Sequence, residues 1–299
     1  MTRAIPLRRL LALVFSTLAL SACLERKETG ILNPDGSGKA VVDTLVHVPE
    51  PQRDKAQTTL FGKSVASQII GHAHGVDAWK DLVVETAPDG RIHVSATVYF
   101  PDISKFQLDA GFSTRWTKNS DGTYTFTLQK DEPANAPPPP AMTDDQVAQA
   151  ITAAKLDYKQ NQPAMLTALN DLKLQTTFTL PGTISATNIL TKDPASNTVT
   201  LVIEGKVITA AMDKIMADDK LLASAIRAGN NTTFADDLLT QNIFGKKGPI
   251  SATVTGALTP QFDYKAESEA AKAAQAAMFT KAGVNPIASP TPPIMPGGQ

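Results

Sequence analysis

Arg91-Ile92-His93-Val94-Ser95-Ala96-Thr97-Val98-Tyr99-Phe100 decides the fold class. Ile92, Val94, Ala96, Val98 and Phe100 fall on one side of an extended chain; Arg91, His93, Ser95, Thr97 and Tyr99 fall on the other. Strict period-two alternation is the mark of a half-buried antiparallel strand. Pro88-Asp89-Gly90 supplies a turn just upstream, and Trp79–Glu85 reads as the preceding strand.

Two further hairpins follow the same logic. Leu24–Leu32 and Lys39–Val48 flank Asn33-Pro34-Asp35-Gly36-Ser37-Gly38, whose Pro and Gly supply turn dihedrals. Phe112–Lys118 and Tyr124–Lys130 flank Asn119-Ser120-Asp121-Gly122, with Tyr124, Phe126 and Leu128 alternating with threonines. Between the first strands lies a helical stretch, residues 54–72, with Phe61, Val65 and Ile69 on one face.

Pro133 and Pro137–Pro140 form a stiff extended segment, a domain boundary or a long excursion between strands. Thr143-Asp144-Asp145-Gln146 is a capping box that opens a helix with Val147, Ile151, Ala154 and Tyr158 on one face. Pro163 is expected to interrupt that helix and restart it toward Leu172. Leu172–Leu180 alternates again, Pro181-Gly182 bends the chain, and Thr198–Ile208 returns as a second arm. A helix over 210–227 shows Met212, Ile215, Leu222 and Ile226, and residues 233–244 suit a short helix. Ile250–Leu258 reads as a last strand. Ala266–Lys281 is Ala-rich and helix-prone with little apolar bulk to bury, and Val284–Gln299 carries the composition of a disordered Pro-rich tail. The expected fold is α+β: antiparallel β-hairpins packed against amphipathic helices, with room for two related lobes.

The N-terminus carries a different kind of information. Arg3, Arg8 and Arg9 precede the apolar run Leu10–Leu20, which is too short to span a bilayer at roughly 20 residues but suits the core of a signal peptide. Leu20-Ser21-Ala22-Cys23 closes it with the single cysteine of the chain. This tetrapeptide resembles the lipobox of bacterial lipoproteins. The resemblance implies cleavage before Cys23 and lipidation of Cys23 with diacylglycerol and acyl chains, such as palmitate. Two or three chains there would anchor the protein firmly, since each buried methylene contributes ~0.8 kcal/mol. Leu24, in place of an aspartate, points to the outer membrane facing the periplasm if the source is Gram-negative.

Cys23-Leu24-Glu25 through Asn33–Gly38, then Leu180-Pro181-Gly182-Thr183-Ile184, Asn188 and Asn197-Thr198-Val199-Thr200, resemble uncharacterised lipoprotein domains of the LppM type over residues 23–209. That family often has Trp where this chain has Leu201. The resemblance implies an α+β domain associated with the envelope or with lipid, and it hands over no catalytic residues.

The domain organisation expected is a signal peptide (1–22), an N-terminal lobe (23–132), a Pro-rich linker (133–142), a C-terminal lobe (143–262), the Ala-rich helix (263–283) and the tail (284–299). A net charge of −1 leaves no basic footprint for nucleic acid. With Cys23 consumed by lipid no intramolecular disulfide can form, so stability must rest on the apolar core.

Side chains that could carry chemistry have plainer readings. His72 and His74 would need His93 and Asp77 to complete a metal site, yet an i, i+2 pair does not share a helix face. Asn33, Asp35 and Ser37 alternate like a calcium loop, but Thr44 stands where the bidentate Glu would be. Asp144-Asp145 suits a helix N-terminus; Asp218-Asp219 and Asp236-Asp237 suit solvated helix faces. Trp79 and Trp116 are read as core anchors, with glycan or lipid stacking as the alternative. No Gly-x-Ser-x-Gly, Ser-x-x-Lys or phosphate-binding Gly-rich loop is present. The expected function is that of a non-catalytic, membrane-anchored envelope lipoprotein that binds another envelope component, protein or lipid, with no cofactor beyond the acyl chains on Cys23. The alternatives are a lipid carrier or sensor with an apolar cavity and an enzyme acting on envelope polymers.

Overall fold

Two sheets face each other across the main apolar core of this computed structural model, which describes residues 24–48, 54–108, 112–130, 142–228, 238 and 240–285. In chain order the elements are β1 (Leu24–Leu32), β2 (Gly38–Val46), α1 (Lys55–His72), β3 (Ala78–Thr86), β4 (Ile92–Phe100), β5 (Phe112–Lys118), β6 (Tyr124–Lys130), α2 (Asp144–Leu169), β7 (Lys173–Thr179), β8 (Thr183–Asn188), β9 (Thr191–Lys192), β10 (Thr198–Glu204), α3 (Gly205–Ala217), α4 (Asp219–Ala228), β11 (Ile250–Thr255) and α5 (Tyr264–Ala282). The signal segment, Cys23 and most of the Pro-rich linker lie outside the described residues, as do Asp236 and Asp237 and most of the tail.

The larger sheet has the order β3-β4-β2-β1-β7-β10-β9, and the smaller one β5-β6-β11-β8. The three expected hairpins are present in register: Leu24 opposite Val46, Ile92 opposite Thr86, Phe112 opposite Lys130. β1 and β7 run parallel; the other pairings described are antiparallel. Ile92, Val94, Ala96, Val98 and Phe100 all point inward and are buried. Phe126 of the small sheet meets Phe178 of the large one with ring centroids 5.1 Å apart. The fold is thus α+β as expected, with one mixed and one antiparallel sheet.

The division into two lobes does not hold. β7 and β10, from the second half of the chain, complete the sheet begun by β1–β4, and β8 and β11 complete the sheet begun by β5 and β6. The reason is edge satisfaction: β1 and β6 each present a second row of backbone donors and acceptors, and only later strands cover them.

Other elements differ in detail. α1 buries Thr58, Gly62, Ala66 and Ile70, with Phe61, Val65 and Ile69 half-buried beside them, because Gly62 lets the helix settle onto Val84 and Ile92. The capping box at Thr143 and Gln146 forms as read. Pro163 sits inside a continuous α2 rather than breaking it. It lies on the solvent side, where the carbonyl it leaves unbonded can be hydrated, while Val147, Ala154, Tyr158, Met165 and Leu169 hold one buried stripe through it. β10 stops at Glu204, not Ile208: Gly205 donates its N–H to Leu172 O at 2.9 Å and lies so close to the Leu169 carbonyl that no Cβ would fit there. The expected 210–227 helix is two helices, because Asp218 caps the second through Lys220 N (2.9 Å) and Leu221 N (3.1 Å). β8 is an additional strand after Pro181-Gly182. Val284, expected at the start of a disordered tail, is buried in the main core. No described helix is long and apolar enough to cross a membrane.

Candidate functional site

The β1–β2 turn builds one end of the large sheet. Asn33 N donates to Ser37 O (2.8 Å), and Gly36 supplies the positive φ of +88° that the turn requires. Asp35 Oδ1 accepts from Ser37 N (3.0 Å) and Ser37 Oγ (2.7 Å). The alternating oxygens read in the sequence therefore serve the hairpin itself.

Asn33 reaches beyond the turn. Its buried side chain accepts from Gln261 N (2.8 Å) through Oδ1 and donates to Phe262 O (3.4 Å) through Nδ2. Trp116, stacked on Tyr124 at 5.1 Å, donates from Nε1 to Pro34 O (3.1 Å). Between turn and clipped loop lies an open groove of ≈ 630 Å³, lined among others by Pro34, Asp35, Pro260, Phe262 and Lys265. Lys39 Nζ stands 4.3 Å from the Phe262 ring centroid. Proline and aromatic surface beside carboxylate and ammonium groups can hold a ligand of mixed character. Sequence reading missed this groove, because its halves lie more than two hundred residues apart and are joined by side chains, Asn33 and Lys39, that look like ordinary turn and strand residues.

α5 closes the neighbouring face of the sheet. Glu267 Oε2 accepts from Lys39 Nζ (2.7 Å) and Tyr99 OH (3.0 Å); Asp77 Oδ2 accepts from Tyr264 OH (2.8 Å) and pairs with Lys272 Nζ (2.9 Å). Gln275 Oε1 takes Trp79 N at 3.1 Å. Burial pulls the Asp77 carboxyl upward, but the hydrogen bonds from Lys272 and Tyr264 and the Lys272 charge outweigh it and hold the group below its ordinary value. Burial, then Glu267, push Tyr99 up to about 12. The Ala-rich helix, expected to have little apolar bulk to bury, is docked on its own chain. Its small Ala271 packs against Ala78 and Tyr99.

The histidines do not converge. His74 pairs its backbone with Gln107, and His72 ends α1. His93 lies on the outer sheet face, with Nδ1 3.1 Å from Glu85 Oε1 and Nε2 3.1 Å from Asp43 Oδ2. Burial lowers its pKa, but both carboxylates raise it by more, so it stands above the ordinary value. Among the described residues no group of three or more His, Cys, Asp or Glu could hold a metal ion. Trp79 is buried in the core as read, and Trp116 is half-buried against it. Asp144 pairs with Arg227 (2.6 Å) and Asp219 with Lys155 (2.5 Å), so these acids serve helix ends and helix contacts.

One polar patch faces inward. Arg26 and Glu28 (2.8 Å apart) and Thr44 share the inner side of β1 and β2. Thr44 is 2% exposed, and its Oγ1 makes no hydrogen bond among the described residues. Leu24, two residues before Arg26 on β1, and Leu174, opposite Arg26 on β7, pack in the α2–α3–α4 cluster, whereas Ala40 and Phe178 belong to the main core.

Comparison with known proteins adds little. No family model matches, and no curated protein matches. Among solved structures, the NMR structure of the folded domain of LppM from Mycobacterium tuberculosis aligns over 80% of this chain and 92% of that one, at 11% identity and a TM-score of 0.31. A likeness that distant transfers neither topology nor function.

Proposed function

We propose that this chain is an envelope lipoprotein, held to a membrane through lipid on Cys23, that acts without catalysis by binding another envelope component at the groove between the β1–β2 turn and residues 260–265. The groove carries this reading: it is open, of mixed polarity, and framed by hydrogen bonds from Asn33 and Trp116 that preorganise it. The use made of the ionisable side chains supports it. Asp77, Glu267, Tyr99, Tyr264 and His93 are engaged in ties between elements, not arrayed around a reacting centre.

Cys23→Ser tests the anchor: the variant keeps the fold and leaves the membrane fraction. Retention on membranes at full strength would overturn the lipid-anchor reading. Crosslinking from Lys265 in the intact envelope tests the groove. A discrete adduct that disappears when Phe262→Ala is introduced supports it; adducts unchanged by that substitution would refute it.

A second reading, a lipid carrier, draws on the inward-facing Arg26, Glu28 and Thr44 at the border of two apolar clusters. Native mass spectrometry of residues 24–299 distinguishes the two. A stoichiometric lipid selects the carrier, and a bare protein mass selects the groove.

A further inference from the structure

We propose that the sheet end bearing Leu24 sits directly on the bilayer, so that the groove is presented at the far end of the molecule, facing away from the membrane. This rests on lipidation of Cys23. It adds an orientation that anchoring alone does not specify, since lipoproteins with long tethers float free of the surface.

The argument is covalent. Cys23 and Leu24 share a peptide bond, which places their Cα atoms ~3.8 Å apart. Leu24 is already in the β ladder, opposite Val46, and Glu25 is paired with Lys173 on the other side. No flexible residue intervenes between a lipid on Cys23 and two flanking strands. A spacer would extend by at most ~3.6 Å per residue; here its length is zero.

The same end gathers the surface that would touch headgroups. The β3–β4 turn brings Asp89 and Arg91, the exit of β2 brings His47, the entry of β7 brings Asp171 and Lys173, and the exit of β10 brings Glu204 and Lys206. Its charges largely neutralise one another. Arg91 pairs with Asp89 (2.7 Å) and Glu25 (3.2 Å), Lys206 with Glu204 (2.6 Å), and Lys173 lies opposite Glu204 across the β7–β10 ladder. Seating therefore comes from the tether and does not require anionic lipid, because self-paired charges leave little attraction for a negative surface.

The groove lies at the opposite end. β1 runs from Leu24 to Leu32, nine residues, and a strand rises ~3.3 Å per residue, so the Asn33 turn stands roughly 30 Å from the lipid.

The test uses the full lipidated protein in phosphatidylcholine vesicles that contain a small fraction of nickel-chelating lipid. A nitroxide is placed at Lys206→Cys or at Lys265→Cys; Cys23, being thioether-linked, does not compete for the label. Relaxation by the surface metal falls steeply with distance, and the strand separates the two positions by roughly 30 Å, so Lys206→Cys should be relaxed at least about tenfold more than Lys265→Cys. Inserting a ten-residue Gly-Ser spacer between Cys23 and Leu24 should erase most of that difference while leaving flotation intact. Equal relaxation at the two sites in protein that floats with the vesicles would overturn the seating and leave the anchor standing. Protein that does not float at all would overturn the anchor, and the seating with it.

Discussion

Ala271→Leu tests how α5 is held. Ala271 is 1% exposed and meets Ala78 and Tyr99, so the helix lies close to the sheet only because its contact residue is small. A leucine adds three carbons to a gap that holds none. Overpacking of this kind costs typically ~1–3 kcal/mol. If α5 lifts to relieve it, Glu267, Asp77 and Gln275 lose their partners across the interface. Urea denaturation should show a lower midpoint at an unchanged slope. At ~1–3 kcal/mol and ~2–4 °C per kcal/mol for a domain of this size, the melting temperature should fall by a few degrees to about ten. Hydrogen exchange should quicken over 264–282 and not over β7 or β10. Ala273→Leu, on the exposed side of the same helix, controls for propensity and should be nearly neutral. If Ala271→Leu unfolds like the parent with full α5 protection, the reasoning fails.

Three other expectations concern the site and its surroundings. Asn33→Ala removes the clip on Gln261 and Phe262, so it should lose ~1–3 kcal/mol and quicken exchange over 259–263; unchanged exchange there would show that the groove does not depend on the clip. His93 has a folded pKa above its reference of 6.5, so its contribution is fully present below that pH and fades as pH rises through the raised value. The stability gap between parent and His93→Gln, read from urea midpoints across pH, should shrink with rising pH, and a flat or growing gap would refute the Glu85–Asp43 pairing. Thr44→Val replaces a buried hydroxyl that makes no hydrogen bond among the described residues. In a solid core it should be neutral or stabilising, up to ~1–3 kcal/mol. Clear destabilisation, or loss of a co-purifying lipid, would mean that the hydroxyl has a partner there.

Local chemistry made much of the fold legible. Alternation along residues 92–100, the turn at 33–38 and the capping box at 143–146 each read correctly because short-range sterics and burial on one face suffice to specify them. Pairing across the chain was not legible. Nothing in Leu24–Leu32 announces Lys173–Thr179 as its second neighbour, and the backbone donors that demand one are the same in every strand. Alanine content misled for a related reason: Ala266–Lys281 lacks bulk, yet smallness at Ala271 is what close packing against Tyr99 needs. Of the groove, only the turn was visible. Asn33 looks like any turn residue until Gln261 arrives.

The parallel contact between β1 and β7 has a consequence for synthesis. Its partners are separated by 148 residues, from Glu25 to Lys173, and β11, which sits inside the small sheet, ends only at Thr255. Contact order this high slows folding, because loop closure is costly before the pairing rewards it. A chain emerging N-terminus first would display the β1–β2 hairpin with one side unpaired until most of the polypeptide had followed. Such an edge is a template for association with other chains. For the exported chain proposed above, keeping that edge covered would need a holding factor beyond the membrane, or secretion slow enough to keep neighbouring nascent chains apart.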